Sequence, residues 1–158
     1  MNKLYVTLLI TFLSISCHTE KAKETETPAS LKITGTWKLL SGTLIEKGDT
    51  VVTDYTQNKS FIKIINDTHF AFFMHDLNKG KDSATAAYSS GGGTYTLKDS
   101  IYTERLEYCT DRQWEGNDFT FTLSLNKDTL IQQGMEKIES EGINRMNIEK
   151  YIRKINIE

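Results

Sequence analysis

Glu104 has the setting that most invites chemistry. In the run Tyr102-Thr103-Glu104-Arg105-Leu106-Glu107-Tyr108, strand alternation puts Tyr102, Glu104, Leu106 and Tyr108 on one face and Thr103, Arg105 and Glu107 on the other. Turned inward, Glu104 is a charged group in a mostly apolar cup. It then either orients a ligand or forms half of a buried pair, with Arg153 as the candidate partner. Turned outward, it is an ordinary solvated acid. Two further runs offer apolar faces: Phe70, Phe72 and Met74 in one, and Phe119, Phe121, Leu123 and Leu125 in the other. The candidate ligand-contacting residues are therefore Tyr102, Glu104, Tyr108, Phe72 and Phe121.

Other chemistries find no matching pattern. His69 and His75 are six residues apart in one strand-like run, so at about 3.3 Å per residue they sit roughly 20 Å apart and cannot share a metal ion. The third histidine, His18, lies in a polar stretch near the N-terminus. No H-E-x-x-H, paired C-x-x-C, calcium loop or G-x-S-x-G elbow occurs. Glu104 and Glu107 face opposite sides of a strand, which weakens a paired acid–base scheme. Gly91, Gly92 and Gly93 lead into "TYTLKDSIYTERLEY", which reads as strand. A phosphate cradle needs a helix after the glycines, so this run is expected to permit a bend or bulge. No catalytic residue, metal or cofactor is expected.

The elements that must position these residues read as β almost throughout. "GTWKLLSG", "SFIKIIND", "HFAFFMHD", "ATAAYSSGGGTYTL", "SIYTERLEYC", "FTFTLSL", "TLIQQG" and "MNIEKYIRK" are rich in threonine, aromatic and β-branched residues. Turn signals separate them: Asn66-Asp67, Lys98-Asp99-Ser100 and Asn126-Lys127-Asp128. About eight short strands with short connections predict an all-β antiparallel sandwich or up-and-down barrel. The segment "MEKIESEGINRM" reads as a loop without a recognised role. The C-terminal run admits an amphipathic helix, but Gly142 interrupts it. Strand is preferred there, with Glu149, Tyr151 and Arg153 on one face.

The first 30 residues read differently. Lys3 precedes an apolar run from Leu4 to Ile15, and Ser16 precedes Cys17. About a dozen apolar residues suit a secretory signal better than a membrane span, which needs roughly 20. The run ending on cysteine resembles the lipobox of bacterial lipoproteins, in which the cysteine becomes the lipidated N-terminus. Residues 18–30 are polar and hold the only proline, Pro28, as suits a disordered tether. The expected organisation is a signal segment over 1–16, lipidated Cys17 with a tether to residue 32, and one domain over 33–158. With Cys17 lipidated, Cys109 is the only remaining cysteine and no internal disulfide forms. A net charge of −2 argues against general nucleic-acid binding.

Gly35-Thr36-Trp37 near the start of a β-domain looks like the G-x-W signature of the lipocalin superfamily. "FIKIINDTHFAFFMHD", "GGGTYTLKDSIYTERLEY", "FTFTLSL" and the closing Glu149-x-Tyr151-x-Arg153 resemble the lipocalin-like domains of Bacteroidetes lipoproteins (domain of unknown function 4488). Tyr151 and Arg105 stand where that family more often has tryptophan and histidine. The resemblance implies a small calycin-type barrel with a central cavity. It further implies that Gly35, Trp37, Tyr151 and Arg153 close one end, with Arg153 packed across Trp37.

Two functional classes remain. One is a cell-envelope protein, anchored through Cys17, that binds a small hydrophobic or amphipathic molecule. The other is a non-enzymatic interaction module with a filled barrel and a protein or glycan partner on its rim or on the loop carrying Trp114.

Overall fold

The computed structural model describes residues 31–154. The expected signal segment, Cys17 and the tether up to Ser30 lie outside the described residues. The strands are β1 (Gly35–Glu46), β2 (Asp49–Asp54), β3 (Lys59–Ile65), β4 (His69–Asp76), β5 (Tyr88–Lys98), β6 (Ile101–Cys109), β7 (Asp118–Asn126), β8 (Thr129–Ile138) and β9 (Ile143–Arg153). The helical content of the described residues is two 3-10 turns, Arg112–Trp114 and Glu139–Glu141.

All pairings are antiparallel. The order β1-β3-β4-β5-β6-β7-β8-β9 closes on itself because β1 also pairs with β9. This is an eight-stranded barrel with β2 as one extra strand: of the two all-β architectures that the strand spacing left open, the up-and-down barrel is the one that forms. β2 was not legible in the sequence. Its Val51 and Val52 are exposed, so it has no buried face to announce it. It forms because the Lys47-Gly48 turn takes positive φ at both residues (53° and 90°), the backbone of a two-residue hairpin. It then pairs with Ser41–Glu46 of β1.

The supposed loop "MEKIESEGINRM" is a correction. β8 and β9 continue through it in register from Met135↔Met146 to Ile138↔Ile143, joined by one 3-10 turn that Gly142 ends at φ 65°. The polar residues of this stretch therefore belong to the barrel wall.

Two bulges decide which side chains face inward. In β1, Leu40 is an extra residue between Leu39 and Ser41. The inward set changes from Trp37 and Leu39 to Gly42 and Leu44. In β6, Glu107 is the extra residue, because Gly93 pairs with Leu106 while Gly92 pairs with Tyr108. Alternation therefore fails at Tyr108, whose ring is 70% exposed on the outer wall. Cys109 turns inward in its place, onto the cavity wall. The glycine run allows close approach at this bulge: a Cβ would come 2.5 Å from the Phe72 ring at Gly91 and 2.6 Å from the Phe70 carbonyl oxygen at Gly92.

One end of the barrel is packed solid. Trp37, Leu39, Ile65, Phe70, Tyr102, Leu123, Leu130 and Tyr151 are all buried there. Segment 31–34 lies along it, with Ile33 buried and its carbonyl accepting a 2.7 Å hydrogen bond from the Trp37 indole. The Arg153 guanidinium sits 4.1 Å over the Trp37 ring and donates to the carbonyls of Thr34 and Lys32, at 2.8 Å each. Gly35 lets the chain pass beneath it, since it holds φ at 138° and a Cβ there would come 2.8 Å from Arg153 Nη1.

Candidate functional site

The other end encloses a cavity of about 320 Å³, partly open to solvent. Its wall changes character around the ring. On the β3–β4 side, Phe61 stacks on Phe72 with ring centres 5.6 Å apart, and Tyr55, just beyond β2, meets Phe61 edge-on at 5.8 Å. Phe61 also meets Tyr151 at 6.4 Å. At the rim, the 3-10 turn after β6 brings Trp114 against Phe119 at 5.6 Å, and the Arg145 guanidinium lies 4.9 Å from the Trp114 ring. Trp114 is thus a half-buried part of the mouth rather than a free rim side chain.

The β8–β9 side is polar, and the strand register explains why. Gln132 pairs with Glu149, Gly134 with Asn147 and Glu136 with Arg145, and all of them line the cavity except Gly134. Arg145 Nε donates to Glu136 Oε2 at 2.7 Å, and Asn147 Nδ2 donates to Glu136 Oε1 at 2.7 Å. Deeper in, the Lys63 ammonium forms an ion pair with Glu104 and donates to Gln132 Oε1 at 2.9 Å. Lys63 is 3% exposed, and its Nζ lies between 5.3 and 5.8 Å from the ring centres of Phe70, Tyr102 and Tyr151. A lysine this deep is tolerated because carboxylate, amide and ring faces surround it.

Glu149 differs from its neighbours. Its Oε2 accepts a 2.8 Å hydrogen bond from the Tyr151 hydroxyl, yet no cation among the described residues lies within ion-pair distance. Burial holds its carboxyl above the usual carboxylate range; nearby Glu104 and Glu136 add to that, while Lys63 and the Tyr151 hydroxyl pull the other way. Burial raises the Tyr151 and Tyr55 hydroxyls as well, with Glu149 contributing to both. Tyr102 is pushed far up by burial and by Glu104 beside it, and its hydroxyl has no hydrogen-bond partner among the described residues. Burial also raises the Cys109 thiol, which suits an inert side chain rather than a nucleophile.

The residues singled out in the sequence are distributed as follows. Glu104, Phe72 and Phe121 line the cavity. Tyr102 is fully buried in the layer beneath, and Tyr108 lies on the outside. Glu104 is paired with Lys63 rather than with Arg153, which is engaged at the closed end. Lys63, Gln132, Glu136, Arg145 and Asn147 were not singled out. The two histidines of the described residues are exposed on β4. No group of three or more His, Cys, Asp or Glu among the described residues is arranged to hold a metal ion.

Compared with known proteins, the chain matches no family model and no curated protein sequence.

Proposed function

We propose that this barrel is a binding module that holds one small amphipathic molecule in its open end. In this reading the chain is a lipocalin-like cell-envelope protein, and a lipid on Cys17 anchors it to a membrane. The observation that carries the reading is the cavity itself. At about 320 Å³ it reaches the lower limit for small-molecule sites, and it sets an aromatic wall opposite a polar one. A purely apolar ligand would cover the polar atoms of Glu149 and Gln132 that the protein leaves without a partner, each a penalty of about 1–3 kcal/mol. The polar wall therefore narrows the ligand from hydrophobic or amphipathic to amphipathic. The side chains present suit binding more than reaction: the ionised groups are largely tied to one another, and the thiol is held protonated.

The test is native mass spectrometry on the full chain extracted from membranes. A retained small molecule that disappears in Leu106→Trp, a substitution that fills the cavity, supports the reading. A protein that carries nothing, and that Leu106→Trp stabilises, would favour the interaction module with a filled barrel.

A further inference from the structure

The charges around the cavity do not cancel. Its inner wall carries two cations, Lys63 and Arg145, and three carboxylates, Glu104, Glu136 and Glu149. Each cation is committed to its own carboxylate: Lys63 to Glu104 and Arg145 to Glu136. Glu149 is left over, with Oε2 held by Tyr151 and Oε1 without a hydrogen-bond partner among the described residues. Asp111 adds a further negative charge at the rim.

A second, independent observation marks the same spot. Gln132 is 2% exposed, lines the cavity and pairs across the strands with Glu149. Its Oε1 accepts from Lys63, while its amide nitrogen has no hydrogen-bond partner among the described residues. Among the described residues the sealed side-chain atoms without a hydrogen-bond partner are the Tyr102 hydroxyl and Glu104 Oε1; the Gln132 amide nitrogen is not one of them, so it opens onto the cavity as a donor that an occupant with an acceptor can use. An unmatched carboxylate and an unmatched amide donor therefore sit side by side, next to the rings of Tyr151, Phe61 and Tyr55.

We infer that the cavity takes a small organic cation, an amine bearing an oxygen close to the ammonium and an apolar body. This deepens the binding reading above and rests on it. The ammonium sits on Glu149, the neighbouring oxygen accepts from the Gln132 amide, and the body lies along the Tyr55–Phe61–Phe72 wall. Ring faces beside a carboxylate suit an ammonium because both present negative potential to it. An anionic ligand has no cation to meet that is not already paired. A bare metal ion lacks a cluster of three ligands among the described residues.

The geometry also sets a pH dependence. Facing Glu149 are Lys63 from β3, Glu104 and Tyr102 from β6, and Glu136 from β8. Its own strand adds Arg145 and Tyr151, and the segment after β2 adds Tyr55. Burial among these groups keeps a proton on Glu149 to higher pH than usual, so the carboxylate becomes available to an ammonium only as that proton leaves. Amine affinity should therefore rise with pH across the Glu149 titration.

The experiment is calorimetric titration of the full chain with three probes: 2-amino-3-phenylpropan-1-ol, its neutral counterpart 3-phenylpropan-1-ol, and 3-phenylpropionate. The amino alcohol should bind at least about tenfold more tightly than either counterpart, the scale of a hydrogen bond to a charged group. Glu149→Gln should abolish that preference, bringing the amino alcohol down to the affinity of the neutral alcohol. Glu107→Gln, on the outer wall, should change neither. The unaltered protein gives the same test without a substitution, since amine affinity should climb as pH rises above the ordinary glutamate range while alcohol affinity stays flat. If the alcohol binds as tightly as the amine, the cation assignment is overturned and the binding module stands. If none of the probes binds, both fall.

Discussion

The two ends of this barrel are built from opposite materials on the same strands. β9 shows it over alternate residues: Arg153 belongs to the sealed end, Tyr151 is buried at the boundary and shared with the cavity wall, and Glu149 and Asn147 line the cavity. At the sealed end the polar groups are answered, apart from the Tyr102 hydroxyl. The Trp37 indole reaches Ile33, and Arg153 reaches two carbonyls and a ring face. At the open end the pairs Lys63–Glu104 and Arg145–Glu136 are complete, while Glu149 and the Gln132 amide are not. One end is a solved packing problem that supplies stability. The other holds polar groups that the protein itself leaves without a partner, which is what the proposed binding role uses.

The largest effect should come from breaking the sealed end. Trp37→Ala removes a fully buried indole together with the surface under Arg153, and should cost about 3–5 kcal/mol in urea unfolding. Next, Lys63→Met tests the boundary between the two ends. It leaves Glu104 buried without its cation, at a cost of about 3–5 kcal/mol, and adding Glu104→Leu should recover most of that loss. If the double variant is no more stable than Lys63→Met alone, the pair does not act as a unit. Gly93→Ala should cost about 1–3 kcal/mol, because its Cβ would run into the Arg105 carbonyl at the β6 bulge.

The smallest effect should have the opposite sign. The Glu149 pKa is raised in the folded protein, so the folded state keeps a proton that the unfolded chain has already released. Stability then falls as pH rises from the unfolded value to the folded one. Glu149→Gln should therefore raise the melting temperature near neutral pH without added ligand, and the gain should vanish below the ordinary glutamate range. A variant destabilised at pH 7 would mean that Glu149 has a cationic partner within the protein.

The antiparallel strands were legible in the sequence, though not whether they close into a barrel or stack as a sandwich, because turn signals and alternation survive where strands bury apolar side chains, as in Phe119-Thr120-Phe121-Thr122-Leu123. The polar wall was not. In β8 the inward set is Leu130, Gln132, Gly134 and Glu136, while Ile131 and Met135 lie on the outer wall. In β9, Asn147 and Glu149 face inward while Met146 and Ile148 lie on the outer face. When a cavity is polar, alternation still marks a strand but no longer says which face is inside. Glu104 could be suspected only because Tyr102 and Leu106 flank it on the same face. Lys63 carries the same signal, between Phe61 and Ile65, and a reading that asked for a lysine to match Glu104 would have found it. Tyr108 was misplaced for another reason: a single extra residue, Glu107, reverses every later face of β6, and nothing in the local composition marks where a bulge falls.

The most direct measurement is an amide chemical-shift titration of the full chain with 2-amino-3-phenylpropan-1-ol. The account expects saturable shifts at Gln132, Asn147 and Glu149 and along Phe61 and Phe72, with Trp37 and Arg153 unmoved. Shifts confined to the outer wall around Tyr108, or no saturable shift anywhere, would contradict it.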